Sequence, residues 1–488
     1  MVVKSIWWIL YCLIVVGIYY RCKSENFQKA VLLLADIFLV IMSSGLASFM
    51  LILAITLAIY MAARKIEKNE SKCKWLLLIL GFVVTLGLLL YFKYLSPMIE
   101  VSWLVVPIGL SYWALSLWGY LYDVYKGVMP AEKNYLDLLC FTIFFPAIFE
   151  GPINLYKSFM PQIKSFHPFD WDKFVSGFQR MIWGYIKTMV IADRIGIFVN
   201  GALAIEETRG LILLLVMMLY MFQLYADFSG GIDIIMGLAE ILGFKLAENF
   251  NSPLVSKSVT EYWKRWHKTL GDWMQKYVYY PIVLNRRLQK MTSFIKNEDM
   301  QLAIIPAVAS FVTFVVVGIW HGTGWNYLIW GCYQATFVTL GILLSGFYQR
   351  LRTFFKINAR SRYWHIITAI RTFIIEVLGL FIIKTSSLQK VAGYYQKLFK
   401  LDNFGDFTNG TLLGYGLSFK NCIVMLIGVA ILIFVDIMHF KKFSFRKYLM
   451  KYNILVRYSV YIILILVVLI FGIYGPGYDA AAFIYQAY

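Results

Sequence analysis

The sequence predicts an all-α polytopic membrane protein, and three observations carry that prediction. Apolar runs of roughly 15–22 residues recur from one end to the other, each long enough or nearly so to cross a bilayer as a helix. Only 15% of the 488 residues are charged and 60% are hydrophobic, whereas soluble chains carry about 25% charge. The net charge of +19 sits largely in short loops between the runs, which is the positive-inside pattern rather than a nucleic-acid surface. One membrane domain is therefore expected over 1–488, with N-terminal spans in 1–100, a core in 101–350 and C-terminal spans in 351–488. Roughly ten to twelve crossings fit this length, together with re-entrant and interfacial helices.

The first run, 5–20, is followed by Arg21, Cys22 and Lys23 rather than a small-residue cleavage site, so it reads as a retained span. Residues 30–63 are too long for one crossing and carry Ser43-Ser44-Gly45 midway, which predicts two spans and a tight turn. That places loops 21–29 and 64–74 on one side. Both are rich in lysine and arginine, so that side is cytoplasmic and the amino terminus external. Runs 75–95 and 103–122 follow as ordinary spans. Segment 136–149 is short and ends at Pro146 and Gly151-Pro152, which predicts a re-entrant piece. Runs 177–199 and 211–228 carry Arg180, Lys187, Asp193, Arg194 and Asp227 and should face protein. Asp227 is placed at the end of its run. Basic segments 350–362 and 441–451 are assigned to the cytoplasm, with span 366–384, a polar loop over 385–420 and span 421–439 between them. Span 456–474 then puts the carboxyl terminus outside.

Residues 251–300 are the longest polar stretch, with nine basic and four acidic residues, and are assigned to the cytoplasmic side. Ser258-Val-Thr-Glu261 has the form of a capping box and Pro281 marks the expected end of the helix it starts. Projected at about 100° per residue, this helix places Trp263, Trp266, Leu270, Trp273, Met274 and Tyr277 on one arc. Lys264, Arg265, Lys268, Asp272, Gln275 and Lys276 take the other. Such a helix lies in the interface plane, and His267 falls on its apolar, inward arc.

The most informative stretch is Gly318-Ile-Trp-His-Gly-Thr-Gly-Trp-Asn326, a break between apolar runs 302–320 and 327–347. An ionisable residue at membrane depth is expensive and by default functional. Aromatic, partly dry surroundings favour a neutral imidazole at His321, and a neutral imidazole can take a proton from a hydroxyl. A histidine at a helix break can also be purely structural, as can His267. The two lack any flanking ligand pattern, so no metal is expected. The six cysteines are scattered without a Cys-x-x-Cys pair, and no nucleophile elbow or P-loop is present. His167, His365 and His439 lie in loops or span ends. No internal repeat is visible, which argues against a transporter with a proton-relay histidine.

Several segments, in order, resemble the membrane-bound O-acyltransferase family, and most closely its alginate O-acetylation branch. They are Val106-Pro-Ile-Gly-Leu-Ser-Tyr112, Asp123-Val-Tyr, Phe145-Pro146 to Gly151-Pro152-Ile153, Pro161-Gln162, Tyr225-Ala-Asp-Phe-Ser-Gly230 and Glu248-Asn-Phe-Asn-Ser-Pro253. Thr260-Glu-Tyr-Trp-Lys-Arg-Trp-His267, Gly318 to Trp325, Gly475-Pro-Gly and Phe483-Ile-Tyr485 complete the set. Departures fall at Ala226, Gln275-Lys276 and Val283-Leu284. The resemblance implies a helical bundle around a tunnel, with His321 catalytic and His267 supporting it near the cytoplasmic side. It also implies an enzyme of a bacterial cytoplasmic membrane that moves an acyl group from a thioester donor, such as acetyl-CoA, to a hydroxyl. No bound cofactor is expected, and a partner protein would complete polysaccharide O-acetylation outside. D-alanyl transfer from a carrier protein to teichoic acid keeps the same fold with another donor. Trp320, Trp325, Asn326, Asp227, Trp263, Lys264 and Arg265 are the candidate substrate contacts beside the two histidines, with the basic residues steering an anionic donor.

Overall fold

The computed structural model describes residues 3–68, 73–96, 106–385 and 387–474, and among these the regular structure is helical, with no strand. The matches at Gly475-Pro-Gly and Phe483-Ile-Tyr485 lie outside the described residues. Seven described helices are long and apolar enough to cross a membrane, or eight if Trp325–Leu343 and Ser345–Phe354, bent by 61°, form one span. The all-α polytopic class is thus observed. The sequence count is higher partly because it includes 5–20 and 103–122, where the helices Ile6–Arg21 and Leu110–Tyr125 have 16 residues each. Sixteen residues give about 24 Å of helix, short of a ~30 Å hydrocarbon core.

The chain packs as two compact units, one made of residues 3–185 and 230–248 and the other of 186–229 and 249–474. In the first, Glu25–Lys68 is a 44-residue helical run interrupted at Gly45, whose φ of 83° and ψ of 167° belong to a region essentially reserved for glycine. Unbroken, the run would extend about 66 Å. Both halves reach the helix Tyr135–Ile143: Lys29 pairs with Asp137 at 2.8 Å, and the Tyr135 hydroxyl donates to the Leu53 carbonyl at 3.0 Å. The run therefore folds back at Gly45, as the two-span reading of 30–63 expects.

Tyr135–Ile143 has only nine residues and is buried from Asp137 onward, in keeping with a re-entrant piece. The turn after it is anchored by the Asp36 carboxylate, which accepts the Phe145 N–H at 2.6 Å. Arg180, the first of the charged residues inside apolar runs, reaches from helix Trp171–Tyr185 to residues 233 and 248. Its guanidinium bonds Asp233 at 2.8 Å and both oxygens of Glu248 at 2.9 and 2.7 Å, so this charge faces protein.

The second unit holds the hairpin of Glu298–His321 and Trp325–Leu343. Its helices touch through Gly318, where an added Cβ would stand 2.6 Å from the Tyr327 carbonyl oxygen and 3.0 Å from the Gly331 Cα. Lys187 and Arg194 face protein here as well. Lys187 donates to Ser229 at 2.9 Å, and Arg194 donates to the Val190 and Phe471 carbonyls at 2.7 and 2.9 Å.

Two expectations are corrected. Asp227 is not at a run's end: its helix continues from Gly210 to Ile241, leaving Asp227 buried in the interior. Residues 258–280 are not one helix. Helix Val259–Trp263 stops, and a second begins at Lys268 and continues through a π stretch, Gln275–Tyr279, into Tyr280–Val283. Pro281 does not end it. The proline sits in the first turn of the last piece, just past the wider π turn, where its missing N–H costs least.

Candidate active site

The Ser258 cap forms as the sequence predicts, its hydroxyl accepting the Glu261 N–H at 3.1 Å. The helix then breaks because residues 249–251 compete for its backbone. The Asn251 N–H donates to the Arg265 carbonyl at 2.9 Å, and the Lys268 N–H donates to the Asn249 carbonyl at 2.8 Å. His267 takes up the break in a left-handed conformation (φ 44°, ψ 50°), which costs a non-glycine residue about 1–3 kcal/mol. The turn delivers its side chain to the interior, where 1% of the residue is exposed. Burial pushes the His267 imidazole down from its ordinary value to about 3, so the ring is neutral at physiological pH. Its Nδ1 lies 3.1 Å from Asn249 Oδ1.

His321 is the last residue of its helix. Gly322 leaves the helical path in an extended conformation, its N–H still bonded to the Gly318 carbonyl at 3.3 Å. The chain turns at Gly322–Gly324 and re-enters a helix at Trp325. His321 is buried, and its ring stands nearly perpendicular to those of Trp320 and Trp330, at 4.8 and 5.1 Å between centroids. The His267 ring is 6.5 Å away and also meets Trp320 at 6.0 Å and Phe228 at 4.9 Å. That separation keeps the two imidazoles beyond the ~2.7–3.2 Å of a direct hydrogen bond.

A second polar chain runs behind this aromatic wall. Trp263 meets Trp330 at 5.7 Å and donates its indole N–H to Gln334 Oε1 at 3.1 Å. Gln334 in turn donates to Glu376 Oε2 at 2.9 Å. Gln334 and Glu376 are fully buried.

Of the predicted site residues, His321, His267 and Trp320 are brought together, with Trp263 one ring removed through Trp330. Asn326 is buried near the turn and donates to the Thr385 carbonyl at 2.9 Å. Asp227 is buried next to Phe228, which touches His267. Trp325 is 72% exposed and Lys264 is exposed, so neither belongs to the cluster. Arg265 is held by Glu261 at 2.9 Å, by the Asn251 carbonyl at 3.0 Å and by the Phe440 ring, which ties it to the local fold. Among the described residues no three His, Cys, Asp or Glu side chains gather as metal ligands.

Sequence reasoning missed Asn249, Trp330, Gln334, Glu376 and Asp436. The acids had a signal, since each is an ionisable residue inside an apolar run. Asp436 accepts the Tyr225 hydroxyl at 2.6 Å, and its carbonyl accepts the Ser252 hydroxyl at 2.9 Å. It thereby joins two of the segments that carry the family resemblance, 225–230 and 248–253.

Comparison with known proteins agrees with this architecture. The model of the membrane-bound O-acyltransferase family matches residues 126–387, a stretch that includes both histidines. The probable alginate O-acetylase AlgI of Pseudomonas aeruginosa is 28% identical over 417 residues, covering 81% of this chain and 74% of that protein. The peptidoglycan O-acetyltransferase of Helicobacter pylori is 29% identical over 311 residues, 56% of each chain. The teichoic acid D-alanyltransferase of Bacillus subtilis is 28% identical over 282 residues, covering 57% of this chain and 69% of that one. The chain belongs to the membrane-bound O-acyltransferase family, and it is an O-acyltransferase held by multiple spans in a bacterial inner membrane.

Proposed function

We propose that this enzyme carries acetyl groups from a cytoplasmic thioester, acetyl-CoA being the natural donor, to a hydroxyl destined for O-acetylation of a secreted or cell-wall polysaccharide. The observation that carries the proposal is the pair of buried imidazoles, His321 and His267, presented by two separate helix breaks into one aromatic pocket. His321 acts as general base: it takes the proton of the acceptor hydroxyl as that oxygen attacks the thioester carbonyl. The C–S bond breaks, and the departing thiolate recovers the proton from the imidazolium. Holding donor and acceptor in one dry pocket replaces much of the entropic cost of their encounter. His267, kept neutral by burial, orients the reacting groups or His321. Lys264, exposed beside this turn, attracts the anionic donor. A partner protein on the far side receives the acetyl group or places it on the glycan.

The similarity to teichoic acid D-alanyltransferases supports a second reading, D-alanyl transfer from a carrier protein. Mass analysis of ester-linked groups on wall and exported polysaccharide separates the two. Acetyl esters that vanish on His321→Ala support the first reading, and D-alanyl esters that vanish instead replace it with the second. Ester content unchanged by loss of the whole protein contradicts both.

A further inference from the structure

Asn249 is fully buried, and its side-chain oxygen meets three groups at once. Oδ1 is 3.1 Å from His267 Nδ1, 3.2 Å from the Thr269 backbone nitrogen and 2.9 Å from Thr269 Oγ1. The Asn249 carbonyl accepts the Lys268 N–H at 2.8 Å. One residue thus grips 267, 268 and 269 in succession, which is how the left-handed turn at His267 is held.

This geometry decides which atom is which. A backbone N–H only donates, so the Asn249 atom facing Thr269 must be the amide oxygen. Turning the amide over would oppose an NH₂ group to that N–H. With oxygen in place, the only role left to His267 Nδ1 is donor, and a neutral imidazole that donates from Nδ1 keeps its lone pair on Nε2.

We propose that Asn249 is a positioning residue that locks His267 in the Nδ1–H tautomer, so that Nε2 serves as a hydrogen-bond acceptor in the pocket formed with Phe228, Trp320 and His321. An acceptor there suits an acceptor-substrate hydroxyl, or the N–H that His321 bears on its second nitrogen while its first takes a proton. The opposite tautomer would offer a donor in its place and reverse the polarity of that contact. The catalytic consequence rests on the acyl-transfer proposal, whereas the tautomer assignment stands apart from it.

The test uses the full chain in lipid nanodiscs with ¹⁵N-labelled histidine, His267 being identified by the signal lost in His267→Asn. The expected wild-type spectrum has the attached hydrogen on Nδ1 and a bare Nε2. In Asn249→Ala that pattern is lost and the kcat for acyl transfer falls about tenfold or more, with KM within a few-fold. Asn249→Asp keeps the accepting oxygen and restores the Nδ1–H pattern. Hydrogen on Nε2 in the wild type, or an Asn249→Ala protein with the wild-type spectrum, overturns the proposal, and the wild-type measurement decides even if the variants fail to fold. An Nδ1–H spectrum together with a fully active His267→Asn enzyme would leave the tautomer standing. It would remove His267 from the chemistry, so the two failures are told apart.

Discussion

Replacing His267 by asparagine should flatten the dependence of stability on pH between about 7 and 5. The folded imidazole binds a proton only near pH 3 because burial disfavours the cation, while the unfolded one binds it near ~6.5. Between those values the unfolded state holds more protons, so stability rises with pH there. The contribution is fully present above about 6.5 and is lost as pH falls toward 3. The slope is at most about 1.4 kcal/mol per pH unit for one group, or about 2 kcal/mol from pH 6.5 to pH 5. Asparagine suits the test because it tolerates the left-handed backbone better than most residues. His167 is also held below its ordinary value by burial and contributes to the same window, so the informative quantity is the difference between wild type and variant. Burial raises the Glu132 carboxyl, but Lys164 and Tyr156 outweigh it and hold it below its usual range. Its contribution is therefore lost only as pH falls below about 4.5, outside the window. The assay is apparent Tm in detergent or nanodiscs at the two pH values. Wild type should lose several degrees more than His267→Asn on acidification. Parallel curves for the two proteins refute the reasoning.

Four further predictions follow from the packing. Gly318→Val forces a Cβ to within 2.6 Å of the Tyr327 carbonyl and should cost about 1–3 kcal/mol, read as a lowered apparent Tm and lost transfer activity. Arg180→Ala removes the guanidinium that bonds Asp233 and Glu248 and should destabilise by about 3–5 kcal/mol; a double variant that also carries Asp233→Asn should recover part of the loss in a thermal-shift measurement. Glu376→Gln keeps an acceptor for Gln334 and should preserve folding and rate, whereas Glu376→Leu frees the Gln334–Trp263 chain and should lower kcat more than it raises KM. Lys264→Glu should raise KM for an anionic donor severalfold with kcat unchanged, and the effect should shrink as salt is added.

Much of the membrane architecture was legible because burial and lipid exposure act on composition directly. Runs with few charges must be helical in lipid, and a glycine amid a run too long for one crossing marked the turn at Gly45. His321 was legible for the same reason: an imidazole between glycines in an apolar setting needs an explanation local to itself. The break at His267 was not. The sequence 258–280 has good helical periodicity, and what interrupts it is the segment 249–251 offering backbone partners from outside the helix. Such competition leaves no mark on the periodic pattern. Asp227 was misplaced for a related reason. The acid stood at the end of an apolar run in the sequence, yet residues 228–241 are mostly buried and the helix runs on to Ile241. The network of Trp263, Gln334 and Glu376 joins residues more than a hundred positions apart, and only the fold brings them together.

The central claim, that His321 is the base of an acyl transfer, is tested most directly with purified protein in proteoliposomes supplied with isotopically labelled acetyl-CoA and a soluble glycan acceptor. Wild type should move label from the thioester to ester-linked acetyl on the glycan. His321→Gln, shown by apparent Tm to be folded, should do so about 10²–10⁴-fold more slowly. A folded His321→Gln protein that transfers label at the wild-type rate would contradict the account.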